Sequence, residues 1–177
     1  MFKKLRRRLW PSPFERYHFG LLKNSQKAGW TGAAMPAEAG EPAYTYTLGF
    51  WVNLGSPDIV ISGHPYARHE NDMLWEAFRQ IKDGHLTPSE NAPWPGWLEK
   101  GHWTWRQVHP SQWNTHNFGS GFWFNERQPD ARPAPPAFQL VWPDSEGRLP
   151  WEAGYDDQFR AMQYAFYEPR KWDGPET

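Results

Sequence analysis

Histidine and carboxylate side chains are the residues of this sequence whose types could support acid–base or metal chemistry. His102, His109 and His116 recur at intervals of seven residues, and imidazole nitrogen is a good zinc ligand. That interval crosses a predicted strand and a predicted helix, so it implies no common geometry, and a His-Glu-x-x-His pattern is absent. We therefore predict no metal site and no cofactor. The polar side chains kept as a candidate site are His64, His69, His109, His116 and Asp144.

Asp144 has the best-defined local context of these residues. It lies in the run Trp142-Pro143-Asp144-Ser145-Glu146-Gly147, and Asp at the first position with Gly at the fourth is typical of a type I turn. We expect one carboxylate oxygen to accept a backbone hydrogen bond, so that Asn could replace Asp144 with little loss. The alternative is a general base whose pKa is raised by the apolar surface of Trp142.

Nucleophilic catalysis has little support in the sequence. The chain contains no cysteine and no Gly-x-Ser-x-Gly pattern. Gly119-Ser120-Gly121 lacks the flanking pattern and a preceding strand, so we expect it to let the chain turn between Phe118 and Phe122. A hydrolase that uses His with Asp or Glu, with or without a metal, is kept as the alternative to a binding protein.

Aromatic residues are the strongest feature of the composition, with 13 Trp and an aromatic content of 18%. Two of the tryptophans lie in the predicted loop Pro93-Trp94-Pro95-Gly96-Trp97. Loop residues seldom need to be buried in the core, and binding residues are common in loops. We therefore expect Trp94 and Trp97 to be partly exposed. The predicted binding residues are Trp94, Trp97, Trp103 and Trp105. They would form either a protein-binding surface or a pocket that stacks on a planar ligand.

The elements that must position these side chains follow from hydrophobic periodicity. We predict strands over residues 14–24, 43–53, 58–62, 102–109 and 137–142, and helices over 66–82, from Ser111 to about Phe118, and from Phe159 to Phe166. The 43–53 and 58–62 strands should pair as a hairpin across Ser56-Pro57-Asp58. This pattern predicts a single α+β domain, mainly an antiparallel sheet with two or three packed helices.

Charge and length bound the domain organisation. We expect a basic, flexible arm over residues 1–13 and one domain over residues 14–177. Five of the six residues 3–8 are basic, but the chain as a whole has a net charge of −1, which gives no general reason to bind nucleic acid or anionic lipid. The functional interpretation of the arm is contact with a membrane surface or nucleic acid, and the simpler one is a solvated terminus. No stretch resembles a transmembrane segment, and the lack of cysteine is compatible with a cytoplasmic protein.

Three segments resemble a known bacterial family. Residues 139–151 read Gln-Leu-Val-Trp-Pro-Asp-Ser-Glu-Gly-Arg-Leu-Pro-Trp, and two earlier segments read Ala-Tyr-Thr-Tyr-Thr-Leu-Gly (43–49) and Pro-Asp-Ile-Val-Ile-Ser-Gly (57–63). They are similar to the Gln-Leu-Val-Trp-Pro-Asp-x-x-Gly-x-x-Pro-Trp motif and the two strand patterns of the family called domain of unknown function four-two-six-two. The resemblance covers roughly residues 40–155 and implies no particular activity.

We expect a cytoplasmic protein that acts by binding a protein partner through an aromatic surface, as a small bacterial accessory or toxin-neutralising (immunity-like) protein would. A hydrolase and a binder of small planar ligands are the alternatives. Convergence of histidines and carboxylates in one cleft would favour the enzyme. A closed aromatic pocket would favour the ligand binder, and a flat, exposed aromatic patch would favour the partner protein.

Overall fold

A six-stranded sheet forms the centre of the computed structural model, which describes residues 11–38, 40–63, 70–95, 101–128 and 136–170. Its strands are β1 (Thr31–Met35), β2 (Tyr44–Leu48), β3 (Ile59–Ser62), β4 (Pro93–Trp94), β5 (Trp103–Gln107) and β6 (Phe138–Val141). The spatial order is β1-β2-β3-β6-β5-β4, and every neighbouring pair is antiparallel except β3 with β6. The prediction of an α+β fold with a mainly antiparallel sheet is confirmed.

Five helices accompany the sheet in the described part of the chain. They are α1 (Pro13–Ala28), α2 (Phe50–Leu54), α3 (Glu70–Lys82), α4 (Thr115–Asn125) and α5 (Asp157–Met162). Three of them, α1, α3 and α4, have more than ten residues and supply most of the helical surface that packs on the sheet. This agrees with the expected two or three packed helices.

Hydrophobic side chains are buried on both faces of the sheet. Ile59 and Ile61 point to one face, where they meet Leu74 and Phe78 of α3, while Val60 points to the other. The second face is covered by α1 and α4 and contains large aromatic side chains such as those of Tyr46, Phe118 and Phe166. Because successive residues of a strand face opposite sides, a short apolar strand such as β3 can contribute to two cores.

The predicted strand over residues 14–24 is wrong, because this segment belongs to helix α1. Ser12 accepts a hydrogen bond from the Glu15 backbone, and the Glu15 carboxylate accepts one from the Ser12 backbone. This reciprocal capping box starts the helix, and Gly29, at φ 87°, ends it in the left-handed region. The buried residues His18, Leu21 and Ser25 follow helical spacing.

The predicted hairpin is confirmed where it pairs Tyr44 with Ser62 and Tyr46 with Val60. Its first strand is shorter than expected, since Phe50–Leu54 is helical. The reason lies at Gly49, whose φ of 105° takes the chain out of the extended conformation.

The remaining predictions place elements correctly but misjudge several ends. Helix α3 is described from Glu70, and the expected start at His64-Pro65 lies outside the described residues. Strands β5 and β6 fall within the predicted 102–109 and 137–142 segments. Helix α4 begins later than expected, because Asn114 rather than Ser111 caps it, and Phe166 lies beyond the end of α5.

Candidate functional site

The predicted tryptophan surface does not form, because the described members of the set are buried. Trp94 is only 4% exposed, and Trp103 and Trp105 are fully buried. The Trp94 indole N–H donates a hydrogen bond of 3.1 Å to the Gln80 side chain of α3. The expected exposure of Trp94 is therefore wrong: its loop joins the sheet as β4 beside β5, which turns the indole inward. Trp97 lies outside the described residues.

The predicted polar site is also not assembled as one cleft. His64 and His69 lie outside the described residues. His109 bonds to the nearby Ser111, and His116 is an exposed residue at the start of α4. No hydrogen bond between described residues joins His109, His116 and Asp144 to one another. Within the described ranges, no group of three His, Asp or Glu side chains is placed to hold a metal ion.

Asp144 organises the turn that follows β6, as predicted. The Gly147 amide donates 3.0 Å to the Asp144 carbonyl. Both carboxylate oxygens also accept bonds: one from the amides of Glu146 and Arg148, the other from the Arg148 guanidinium and the Asp156 amide, all at 2.9–3.1 Å. Burial alone would raise the pKa of Asp144, but these hydrogen bonds outweigh it and lower the pKa. The general base with a raised pKa is thus contradicted.

A second buried carboxylate, Asp58, is more strongly perturbed. Its oxygen accepts hydrogen bonds from the Thr47 hydroxyl (2.9 Å) and the Phe50 amide (3.1 Å). Burial raises the pKa of Asp58 to about 7, although both bonds partly counteract the rise. Thr47 in turn accepts a bond from the Ile59 amide, so this group ties β2 to β3. The sequence placed Asp58 in a turn, and the burial that perturbs it comes from the packing of the sheet.

The exposed aromatic surface lies instead on α1 and α4. Phe14, Tyr17 and Phe19 are 62%, 47% and 54% exposed. His18 lies among them, with its ring centroid 4.0 Å from that of Phe14, 5.1 Å from Tyr17 and 4.5 Å from Trp123 of α4. The ring centroid of Phe19 lies 6.1 Å from that of Trp123. We call Phe14, Tyr17, His18, Phe19 and Trp123 the α1–α4 aromatic cluster.

The helical spacing of α1 explains this arrangement. His18, Leu21 and Ser25 form the buried stripe, so Tyr17 and Phe19 project on its two flanks. This surface is absent from the predicted sites, because a strand is predicted for residues 14–24. The signal was present in the Ser12-Pro13-Phe14-Glu15 run, which is a capping-box pattern.

Beneath the cluster, a serine of α4 meets His18. The Ser120 hydroxyl lies 3.3 Å from Nε2 of His18, and Nδ1 of the same ring lies 2.9 Å from the Phe14 carbonyl oxygen. Helix α4 is kinked at Phe118, directly before Gly119-Ser120-Gly121. Burial raises the pKa of the adjacent Tyr46 phenol to about 12, although the Ser120 hydroxyl partly offsets the rise.

An open depression of about 450 Å³ lies near the end of β3. Its lining includes Glu38, Glu41 and Met162. No aromatic residue is among the described residues that line it. This depression therefore does not provide the stacking surface that a binder of planar ligands would need.

The fold defines an α+β protein whose sheet is covered on both faces. A family model described as "Domain of unknown function (DUF4262)" matches residues 24–156, which is most of the chain. The protein belongs to this family, as the three sequence segments indicated. No curated protein and no solved structure matches the chain. Among the described helices, none is long and apolar enough to span a bilayer.

Proposed function

We propose that this protein acts by binding an acidic protein partner through the α1–α4 aromatic cluster. The observation that carries the proposal is the exposure of Phe14, Tyr17 and Phe19 on a single helix. Large apolar side chains exposed together are uncommon on a monomer surface and typically mark an interaction site. The function is that of an accessory binding protein, with toxin neutralisation as its more specific form.

The composition of the cluster suits a protein interface. Tyr, Trp and Arg are the residues that most often dominate binding energy at such interfaces. The Arg127 guanidinium lies 4.0 Å from the ring centroid of Trp123, at the edge of the cluster. This cation–π contact holds Arg127 beside the aromatic rings, where a carboxylate of the partner would share it with Glu126, whose carboxylate lies 3.7 Å away.

The charge distribution indicates the partner's character. Residues 1–28 contain eight Lys or Arg and a single Glu, a net charge of +7. Because the whole chain has a net charge of −1, residues 29–177 carry −8. A basic segment that includes the exposed aromatic residues favours an acidic partner, since complementary potentials accelerate encounter and select the partner.

The geometry favours a protein over a membrane. A helix that lies in a membrane interface buries one continuous apolar face. In α1, Tyr17 and Phe19 lie two residues apart on opposite flanks of the stripe that His18 and Leu21 use to pack inward. A partner protein with one pocket on each side of the exposed face of α1 can contact both Tyr17 and Phe19. A flat lipid surface cannot contact both.

The test replaces the exposed rings and measures direct binding. A photocrosslinking amino acid at Phe19 captures neighbouring proteins in cells, and each captured protein is then purified. Binding is measured with the wild type and with a variant carrying Phe14→Ala, Tyr17→Ala and Phe19→Ala. We expect a loss of affinity of about 100-fold or more in the variant, as for hot-spot residues, and weaker binding at higher salt.

The matched control is Val52→Ala, which trims another exposed apolar residue, 41% exposed and outside the cluster. It should bind like the wild type. Equal binding of the triple variant and the wild type would overturn the proposal. The proposal would also be overturned if the same three rings were needed to bind anionic vesicles or nucleic acid while no captured protein bound.

A further inference from the structure

We propose that Ser120 and His18 form a nucleophile–base pair that hydrolyses carboxylic esters with apolar acyl groups. The pair joins helices α1 and α4 across a sequence separation of 102 residues. A serine hydroxyl within reach of an imidazole whose other nitrogen is oriented by a third group is the arrangement that activates a serine. This inference does not depend on the partner-binding function proposed above.

The environment of His18 fixes the ring in the form that can act as a base. The Phe14 carbonyl is an acceptor only, so Nδ1 at 2.9 Å must carry the proton and donate it to that oxygen. Nε2 is then the nitrogen with the free lone pair, and it faces the Ser120 hydroxyl at 3.3 Å. The rings of Phe14 and Trp123 pack against the imidazole and hold its orientation.

Tyr46 supplies a hydrogen-bond donor beside the nucleophile. Its buried hydroxyl lies close enough to the Ser120 hydroxyl and to the backbone of Ser120 and Gly121 for hydrogen bonds that lower its pKa, although none of these contacts has standard hydrogen-bond geometry. An oxygen that gains negative charge next to Ser120 would accept the Tyr46 O–H in place of these contacts, which is the role of an oxyanion donor.

The surface next to Ser120 is open at Gly119. Ser120 is half-buried rather than enclosed, and no atom lies within 4 Å of the position that a Cβ on Gly119 would occupy. The neighbouring exposed ring of Phe14 and the half-buried ring of Trp123 offer apolar surface to an acyl chain or aryl group. The site therefore suits a small ester with an apolar acyl part.

The reaction proceeds in two balanced steps. The Ser120 oxygen attacks the ester carbonyl while its proton passes to Nε2 of His18, the bond to the leaving alkoxide breaks, and Nε2 returns the proton to form the alcohol. Water then attacks the acyl-serine, giving one proton to Nε2. That proton returns to the Ser120 oxygen as the carboxylic acid leaves.

A second serine–histidine pair provides a matched control. Ser111 lies 2.8 Å from Nδ1 of His109, but that nitrogen also accepts the Ser111 amide at 3.2 Å, and the Ser111 oxygen accepts the Arg170 amide at 2.9 Å. The Ser111 pair is thus a local turn in which the hydroxyl is already engaged. Ser111 is more exposed than Ser120. If exposure alone governed reactivity, Ser111 would react with a probe at least as readily as Ser120.

The test combines labelling with turnover. The wild type is treated with a fluorophosphonate, the modified peptide is mapped by mass spectrometry, and hydrolysis of p-nitrophenyl butyrate is measured. We expect label on Ser120, none on Ser111, and loss of both label and hydrolysis in Ser120→Ala but not in Ser111→Ala. His18→Gln should slow labelling about 100-fold or more, the usual contribution of a general base.

Absence of label on Ser120 in the folded wild type would overturn the proposal, and this result requires no variant to fold. Undiminished hydrolysis by Ser120→Ala would also overturn it, because the turnover would then come from other groups. Circular dichroism of each variant confirms that the helices are retained.

Discussion

The indole N–H of Trp142 donates a hydrogen bond of 2.8 Å to the backbone carbonyl of Ser62, eighty residues earlier in the chain. The backbone of Trp142 also forms two hydrogen bonds with the Gln163 side chain. The side-chain oxygen accepts one from the Trp142 amide, and the side-chain N–H donates one to the Trp142 carbonyl. Trp142 therefore joins the ends of β3 and β6 to the segment after α5. Trp142 thus has a structural role in this chain.

Trp142→Phe should destabilise the protein by about 1–3 kcal/mol. The substitution keeps most of the apolar volume but leaves the buried Ser62 carbonyl without its donor, and an unsatisfied buried group costs this amount. Chemical denaturation measures the change. Trp151→Phe is the control, since Trp151 is an exposed tryptophan nine residues later in the chain, and it should cost less than about 1 kcal/mol. Equal losses in the two variants would show that the indole bond contributes nothing specific.

Asp144→Asn should cost about 1–3 kcal/mol, in contrast to the near-neutral effect expected from the turn pattern alone. Both carboxylate oxygens accept hydrogen bonds. An amide would therefore point an N–H₂ group at donors such as the Arg148 guanidinium or the Asp156 amide. Unfolding of the variant measures this cost. Asp157→Asn, an exposed neighbour that pairs only with Arg160 among the described residues, serves as control and should stay within about 0.5 kcal/mol.

Asp58→Asn should change how stability depends on pH. Because burial raises the pKa of folded Asp58 to about 7 from an ordinary 3.8, the folded state holds the proton more tightly than the unfolded state. The associated stability is present below pH 3.8 and is lost as the pH rises through 7. The Asn side chain keeps an acceptor for Thr47 and Phe50 but cannot ionise.

The Asp58→Asn substitution should therefore stabilise the protein at about pH 8, relative to its effect at about pH 4, by up to about 4 kcal/mol, since the pKa rises from 3.8 to about 7 and each pKa unit corresponds to about 1.4 kcal/mol. Denaturation of both proteins across this range gives the difference curve, in which the contributions of other groups cancel. A flat difference between the two ends of the range would show that Asp58 ionises normally in the folded protein.

Much of the sheet could be predicted from the sequence because its signals are local. The alternation of residues 44–48 and the helical spacing of Leu74 and Phe78 need no knowledge of the rest of the chain. The sequence signals for helix α1 are equally local, but its buried stripe includes the polar residues His18 and Ser25. A prediction based on apolar periodicity overlooks such a stripe, although the capping box at its start was readable.

The candidate sites could not be predicted, because they depend on contacts between distant segments. Ser120 meets His18 across two helices, and the burial of Asp58 depends on the packing of β2, β3 and α2. For Asp144, the local pattern predicted the turn, but the bond from the Asp156 amide comes from a later loop. Residue types gave candidates, and only the fold determines which of them meet.

Trp94→Ala should destabilise the protein by about 3–5 kcal/mol, the range for removing a large aromatic side chain from a core. Trp94 packs against Trp105 at a centroid distance of 5.8 Å, and its indole N–H bonds to Gln80. An exposed recognition residue in a proline-rich loop would instead tolerate the change with little loss of stability. Thermal and chemical unfolding distinguish the two roles. Gln80→Leu removes the acceptor of the indole hydrogen bond, together with the bond that Gln80 donates to Glu76, and should cost about 1–3 kcal/mol. A loss below about 1 kcal/mol for Trp94→Ala would restore Trp94 as a surface residue and contradict the packing of β4 against α3.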